Sequence, residues 1–170
     1  DLKGRKLVNL DSEEEGVFTV SCAGGVRMDG FLPGTDAPLN GEAGYEIALE
    51  GLLGGHSGGE IHKGRASANQ VMGRVLYSAL ERFPGLRLAD IRGGKFDNVI
   101  CSRNHAKAAV PVDRAGEFEA FIREFDGALK NEYAGCDGGI TLSCEKTALD
   151  GALSPEATAN VLRTLLAVPQ

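Results

Sequence analysis

The sequence predicts an α+β fold, on three observations. Four stretches alternate apolar and polar side chains with the period of two that a half-buried strand requires: Tyr45 to Leu53, Leu86 to Ile91, His105 to Val112 and Ile140 to Thr147. Two longer stretches, Ala66 to Phe83 and Glu117 to Lys130, repeat apolar side chains at three-and-four spacing, as an amphipathic helix does. Taken in order these segments read β-α-β-β-α-β. That is the split βαβ, or ferredoxin-like, plan, in which two helices cover one face of a four-stranded antiparallel sheet. An N-terminal strand and loop extension and an extra C-terminal helix complete the prediction.

Each element has a local reason. Leu7 to Leu10 reads as a short apolar strand, and it runs into the acidic turn Asp11-Ser12-Glu13-Glu14-Glu15-Gly16. Val17 to Ala23 is alternating and β-branched, which suits another strand. Gly24 to Gly44 carries Pro33, Pro38 and many glycines without periodicity, and reads as a long loop. In Tyr45 to Leu53, Tyr45, Ile47 and Leu49 face one way against Glu46, Ala48 and Glu50. The first helix gathers Val71, Val75, Leu76, Ala79, Leu80 and Phe83 on one face, flanked by Met72 and Tyr77 as packing, and Pro84-Gly85 stops it. Leu86 and Leu88 oppose a polar Arg87, and Ala106, Ala108, Val110 and Val112 share a face. Asp113 is placed to cap the second helix, whose core face is Phe118, Phe121, Ile122, Phe125 and Leu129. Gly135 to Gly139 breaks the pattern before Ile140, Leu142 and Cys144 turn inward. Ser154 and Pro155 stand as N-cap and first residue of a third helix.

Composition narrows the function. A chain of 170 residues with 42% apolar side chains can bury a core, and its formal net charge is -6. The basic residues are scattered, so neither nucleic acid nor an acidic membrane surface is expected as a partner. There is no secretory pattern and no apolar run long enough to span a bilayer. Cys22, Cys101, Cys136 and Cys144 stand apart without a Cys-x-x-Cys pair, which fits reduced thiols in the cytoplasm. The abrupt first and last residues suggest a piece of a longer polypeptide.

Chemistry concentrates in Gly54-Gly55-His56-Ser57-Gly58-Gly59, between a strand and a helix. Glycines let the backbone turn tightly and come close to a ligand, but such a segment is also consistent with a plain turn carrying a solvated histidine. It is a poor phosphate cradle, because no Gly-Lys-Ser/Thr follows. The acidic run after Leu10 is either a solvated turn or part of a cation site, and one carboxylate alone makes no metal centre. His62 and His105 read as structural or solvated. Arg92 and Arg103 are compatible with either a surface role or contact with a carboxylate.

Two motifs together go further. Gly54-Gly-His-Ser-Gly-Gly-Glu-Ile-His-Lys-Gly-Arg-Ala-Ser-Ala-Asn69 and Gly93-Gly-Lys-Phe-Asp-Asn-Val-Ile100 resemble the signatures of the lid, or dimerisation, domain of the dinuclear-metal peptidases that include carnosinase and carboxypeptidase G. Asn9 to Gly16 and Ser21 to Gly25 extend the likeness, which is strongest to the members acting on Xaa-His dipeptides. The resemblance implies a zinc-dependent dipeptidase whose two metal ions activate the attacking water and polarise the scissile carbonyl. It implies that Asp11 is a metal ligand ending a catalytic-domain strand, that His56 reaches the substrate carbonyl or its oxyanion, and that Asn98 hydrogen-bonds the substrate. It further implies residues 1–16 as the tail of a catalytic domain, 17–44 as a strand and long loop leading into the lid, 45–147 as the lid, and 148–170 as the start of a further lid segment. A piece of this kind is expected to be inactive alone and to bind no metal. The family's His-x-Asp, bridging Asp, Glu-Glu pair and last His do not occur in this chain, and Cys101 stands where relatives often have proline. The partners expected are a dipeptide substrate and a second copy joined through a sheet edge. A non-catalytic assembly module, with His56 incidental, is the alternative.

Overall fold

A computed structural model describes residues 3–6, 8, 15–18, 20, 21, 24 and 26–168. The chain divides into two units, Asp1–Phe31 and Leu32–Gln170. In the first unit the described residues form a turn at Glu15 and Gly16 and no strand. Val17, Phe18 and Val20, expected in a strand, are extensively exposed and pair with no strand among the described residues, without which alternation alone does not make one; Thr19, Cys22 and Ala23 lie outside the described residues. Leu7, Asn9, Leu10 and Asp11 lie outside the described residues.

The second unit contains β1 (Asp36–Ala37), β2 (Ala43–Glu50), β3 (Gly55–His56), α1 (Ala68–Arg82), β4 (Arg87–Gly93), β5 (Val99–Ile100), β6 (Asn104–Val110), α2 (Ala115–Glu132), β7 (Thr141–Lys146), β8 (Ala152–Leu153) and α3 (Pro155–Ala167). Four strands make the main sheet in the order β4-β6-β2-β7, every neighbouring pair antiparallel. This is the ferredoxin-like arrangement predicted from the element order. Register follows the alternation: Tyr45 stands opposite Ala108, and Ile47 lies between Ala106 and Cys144. The same parity therefore sends Tyr45, Ile47, Leu49, Ala106, Ala108 and Leu142 to one face, where they meet α1 and α2.

Helix periodicity supplies the opposing layer. Val71, Val75, Leu76 and Ala79 of α1 and Phe118, Ile122 and Leu129 of α2 are sealed, each side chain worth roughly 1.5–3 kcal/mol of transfer free energy when large. Phe118 sits 5.0 Å from Tyr45 and 5.6 Å from Phe83, ring centre to ring centre. The Tyr45 hydroxyl donates to Glu119 Oε1 at 2.8 Å, so its polar end is satisfied. Burial, then the glutamate, pushes this phenol well above its ordinary range.

The third helix begins as predicted: Ser154 Oγ accepts the Ala157 N–H at 3.2 Å and Pro155 fills the first helical position. It lies close on α1, because Gly73 has no side chain and a Cβ there would stand 3.0 Å from that of Leu165. Met72 and Gly73 are buried in addition to the face read from sequence.

Three local expectations need correction. Asp113 does not cap α2. A 3-10 turn over Val112–Arg114, set up by Pro111, leads directly into the helix, and the Arg114 N–H bonds to the Pro111 carbonyl at 3.0 Å. The same turn takes Val112 out of the strand and exposes it. Arg87, read as the polar residue alternating with Leu86 and Leu88, is only 6% exposed. The two-residue ribbon of β1 and β8, absent from the sequence reading, covers it, and its guanidinium donates to the carbonyls of Pro38, Ala37, Ala152 and Leu153 at 2.6–3.0 Å. A planar, always-charged group with several donors suits this crossing of strands.

Candidate functional site

The glycine-rich segment and the 93–100 segment meet in a second small ribbon. Beyond β2 the chain turns at Gly51, whose φ is +79°, and a Cβ there would collide with the Gly139 carbonyl, so only glycine fits. Leu52 dips into the core. β3 then pairs antiparallel with β5, placing His56 opposite Val99 and Gly55 opposite Ile100. One residue further, the Ser57 N–H donates to the Asn98 carbonyl at 2.9 Å. His56 and Asn98 are thereby brought to the same end of one ribbon, and both are exposed.

Backbone amides set the state of the imidazole. His56 Nδ1 lies 3.1 Å from the nitrogens of both Gly58 and Gly59, whose N–H groups can only donate. The hydrogen-bond pattern assigns Nδ1 as acceptor and, in the neutral ring, leaves the proton on Nε2. The exposed edge of the ring is therefore a donor.

Glu60 braces the turn from below. Its Oε2 accepts the His56 N–H at 3.2 Å and Arg65 Nη1 at 3.1 Å, and its Oε1 accepts Lys63 Nζ at 2.6 Å. The Lys63 hydrogen bond, followed by the His56 N–H, holds this carboxyl below the usual glutamate range. Arg65 also donates to the Gly54 carbonyl. Both side chains occupy the space a Cβ on Gly55 would need.

The other leg is held by Asn69 on the first turn of α1. Its Oδ1 accepts from Asn104 Nδ2 at 2.8 Å and lies 3.3 Å from Cys101 Sγ, while the Ala68 N–H donates to the Cys101 carbonyl at 2.8 Å. Cys101, in the position where proline was noted, is thus a buried part of this joint. Beside the ribbon opens a cavity of about 710 Å³, with Phe96, Val99 and Ile100 as apolar wall and Arg92, Lys95 and Arg103 as cations, and among the described residues no carboxylate lines it. Its chemistry suits an anionic group carried on an apolar body. The sequence reading left Arg92 and Arg103 undecided and did not see the cavity, because a two-residue ribbon creates it.

Other predicted residues fall elsewhere. His62 is exposed in the 3-10 turn Ile61–Lys63. His105 lies on the sheet face away from the helices, with Nε2 3.2 Å from Glu50 Oε1 and Nδ1 3.8 Å from Glu46 Oε1. Asp11 is outside the described residues. Among the described residues no three His, Cys, Asp or Glu side chains come together to hold a metal ion. None of the helices described is long and apolar enough to cross a membrane.

A four-stranded antiparallel sheet under two helices, with glycine-rich loops joined in a ribbon at one end, defines a ferredoxin-like α+β domain of the dimerisation type. Residues 47–136, more than half the chain, match the family model described as the peptidase dimerisation domain, and the chain belongs to that family. It is 36% identical over 165 residues to the cytosol non-specific dipeptidase of Escherichia coli (strain K12), covering 96% of this chain and 34% of that protein. Its fold matches the crystal structure of aminoacylhistidine dipeptidase from Vibrio alginolyticus with a TM-score of 0.77 and 27% identity, over 82% of this chain and 29% of that one. The chain thus spans about a third of the length of each. The likeness read from the two glycine-rich motifs is shown by these matches.

Proposed function

We propose that the chain is the lid domain of a zinc-dependent cytoplasmic dipeptidase that hydrolyses short peptides such as Xaa-His. The observation that supports this most is the β3–β5 ribbon, at one end of which His56 and Asn98 are both exposed. As water adds to a peptide carbonyl, charge gathers on the oxygen, and a donor already fixed at that point stabilises the transition state more than the ground state. His56 is that donor. Asn98, able both to donate and to accept, binds the substrate backbone or its C-terminal end. Residues 1–16 are the tail of the catalytic domain, and Asp11 there ligates one of two zinc ions. Zinc, when bound, would supply the activated water. The lid's own part is hydrogen bonding.

In the complete enzyme, H56A is expected to lower turnover about 10²- to 10³-fold, measured by dipeptide hydrolysis, and N98A to raise KM as well. Wild-type hydrolysis by H56A would sink the reading. A second reading, an assembly module that pairs through a sheet edge, is favoured by β7, which among the described residues has β2 on one side and no strand on the other. We take the homodimer to form there. If C144P, which removes an N–H turned away from β2, abolishes the dimer seen by light scattering while H56A leaves hydrolysis untouched, assembly is the domain's only role.

A further inference from the structure

Asp137 lies between α2 and β7 with its side chain wholly buried. Its own backbone is tied to the end of α2, the N–H donating to the Tyr133 carbonyl at 2.8 Å and the carbonyl accepting the Ile140 N–H at 2.9 Å. Its carboxylate then reaches across to another part of the fold. Oδ1 accepts the Leu53 N–H and Oδ2 the Ala66 N–H, each at 2.7 Å. Leu53 follows β2 and Ala66 precedes α1, so these amides belong to neither ladder. They are the two ends of the segment that carries His56.

Nothing about α2 explains a carboxylate there. A negative charge at a helix C-terminus is opposed by the helix dipole, and a buried charge is costly unless hydrogen-bonded. Among the described residues no ion pair reaches Asp137. The close approach of Gly51 to Gly139 brings its loop against the end of β2, within reach of both amides. A short, two-oxygen side chain bridging both amides sets the separation of the segment's ends.

We propose that Asp137 is a positioning residue for His56: by bracing Leu53 and Ala66 it determines where the imidazole Nε2–H stands. This rests on the reading of His56 given above, and the test separates the two. The chain has three histidines, so ring ¹H–¹⁵N correlations of the labelled protein resolve His56 by comparison with H56A. In the wild type the Leu53 and Ala66 amides are expected to be as protected from exchange as sheet amides, with His56 in the Nε2–H form. D137N places an amide N–H₂ against a backbone N–H. It should speed exchange at one or both amides at least about tenfold, shift the His56 ring pattern, and lower kcat of the complete enzyme by about tenfold to a hundredfold, with KM moving less. D137E keeps the charge and should give a smaller loss of the same kind.

Unchanged His56 signals and kcat in both variants, with H56A inactive, would overturn the inference. A shifted ring in D137N with H56A fully active would uphold the bracing and discard the functional reading. Should D137N fail to fold, D137E and wild-type exchange decide, and rapid exchange at Leu53 and Ala66 in the wild type overturns it.

Discussion

The sheet under its helices and the ribbon that carries His56 are built by different forces. Across β2, β6, α1 and α2 the joints are apolar: Tyr45, Ile47, Leu76, Phe83, Phe118 and Leu129 exclude water, and the sheet register follows the alternation of apolar side chains. Around β3 and β5 less apolar surface is buried: Ile100 is buried, but Leu53, Ile61, Phe96 and Val99 remain exposed. There the chain is held by polar staples: Glu60 with Arg65 and Lys63, Asn69 with Asn104, and Asp137 with two amides. Burial tolerates small shifts because it has no direction. Hydrogen bonds do not, and they suit a group whose aim matters.

That contrast can be broken or sharpened. The largest effect is expected from Phe118→Ala, which empties the centre of an aromatic cluster and should cost about 3–5 kcal/mol in urea unfolding, while the native-state ring signals of His56 stay put. A shift of those signals would merge the two regions into one. Gly51→Ala lies on the boundary. Its positive φ and the Gly139 carbonyl should together cost at least about 1–3 kcal/mol, and both thermal stability and the His56 spectrum should change.

Gly55→Ala should act within the ribbon. Its φ of +131° disfavours a side chain, and Glu60 and Arg65 must swing away. The expected result is lost protection at the His56 and Ser57 amides with a melting temperature lowered by only a few degrees, consistent with a cost of roughly 1 kcal/mol. The smallest effect is that of acid. The folded-state value of Glu60 lies below 4.5, its ordinary value, so its stabilisation of the turn is full above 4.5 and fades as pH falls through the lower folded value. The His56 amide shift should move in that window before the core signals do. A ribbon that stays intact once Glu60 is protonated would remove Glu60 from the account.

Regular elements were legible because their causes are local. Phe118, Phe121, Ile122 and Leu129 recur at helical spacing whatever else the chain does, and Tyr45, Ile47 and Leu49 alternate. His56, set among glycines, and Asn98, four residues after Gly94, were singled out by the resemblance of their motifs, and their roles belong to the proposal. What escaped depends on partners distant in sequence. Gly55–His56 and Val99–Ile100 are too short to show a period, and the same holds for Asp36–Ala37 and Ala152–Leu153. Arg87 alternates with leucines as a surface residue would, and the carbonyls of Ala37, Pro38, Ala152 and Leu153, with the Glu42 carboxylate at 3.5 Å, make its burial tolerable. Asp137 sits in Gly135-Cys-Asp-Gly-Gly139, where sequence alone suggests a solvated turn, yet it is sealed because Leu53 and Ala66 each present an amide. Asp113 looked like a cap, but Pro111 had already started a tighter turn.

The capture of His56 Nδ1 by Gly58 and Gly59 restricts what the ring can contribute. With one nitrogen engaged by the protein and the other carrying hydrogen, the neutral ring has no spare lone pair to offer an incoming water. In the reaction proposed for the complete enzyme, deprotonating the nucleophile and delivering that proton to the departing amine must therefore fall to a different side chain.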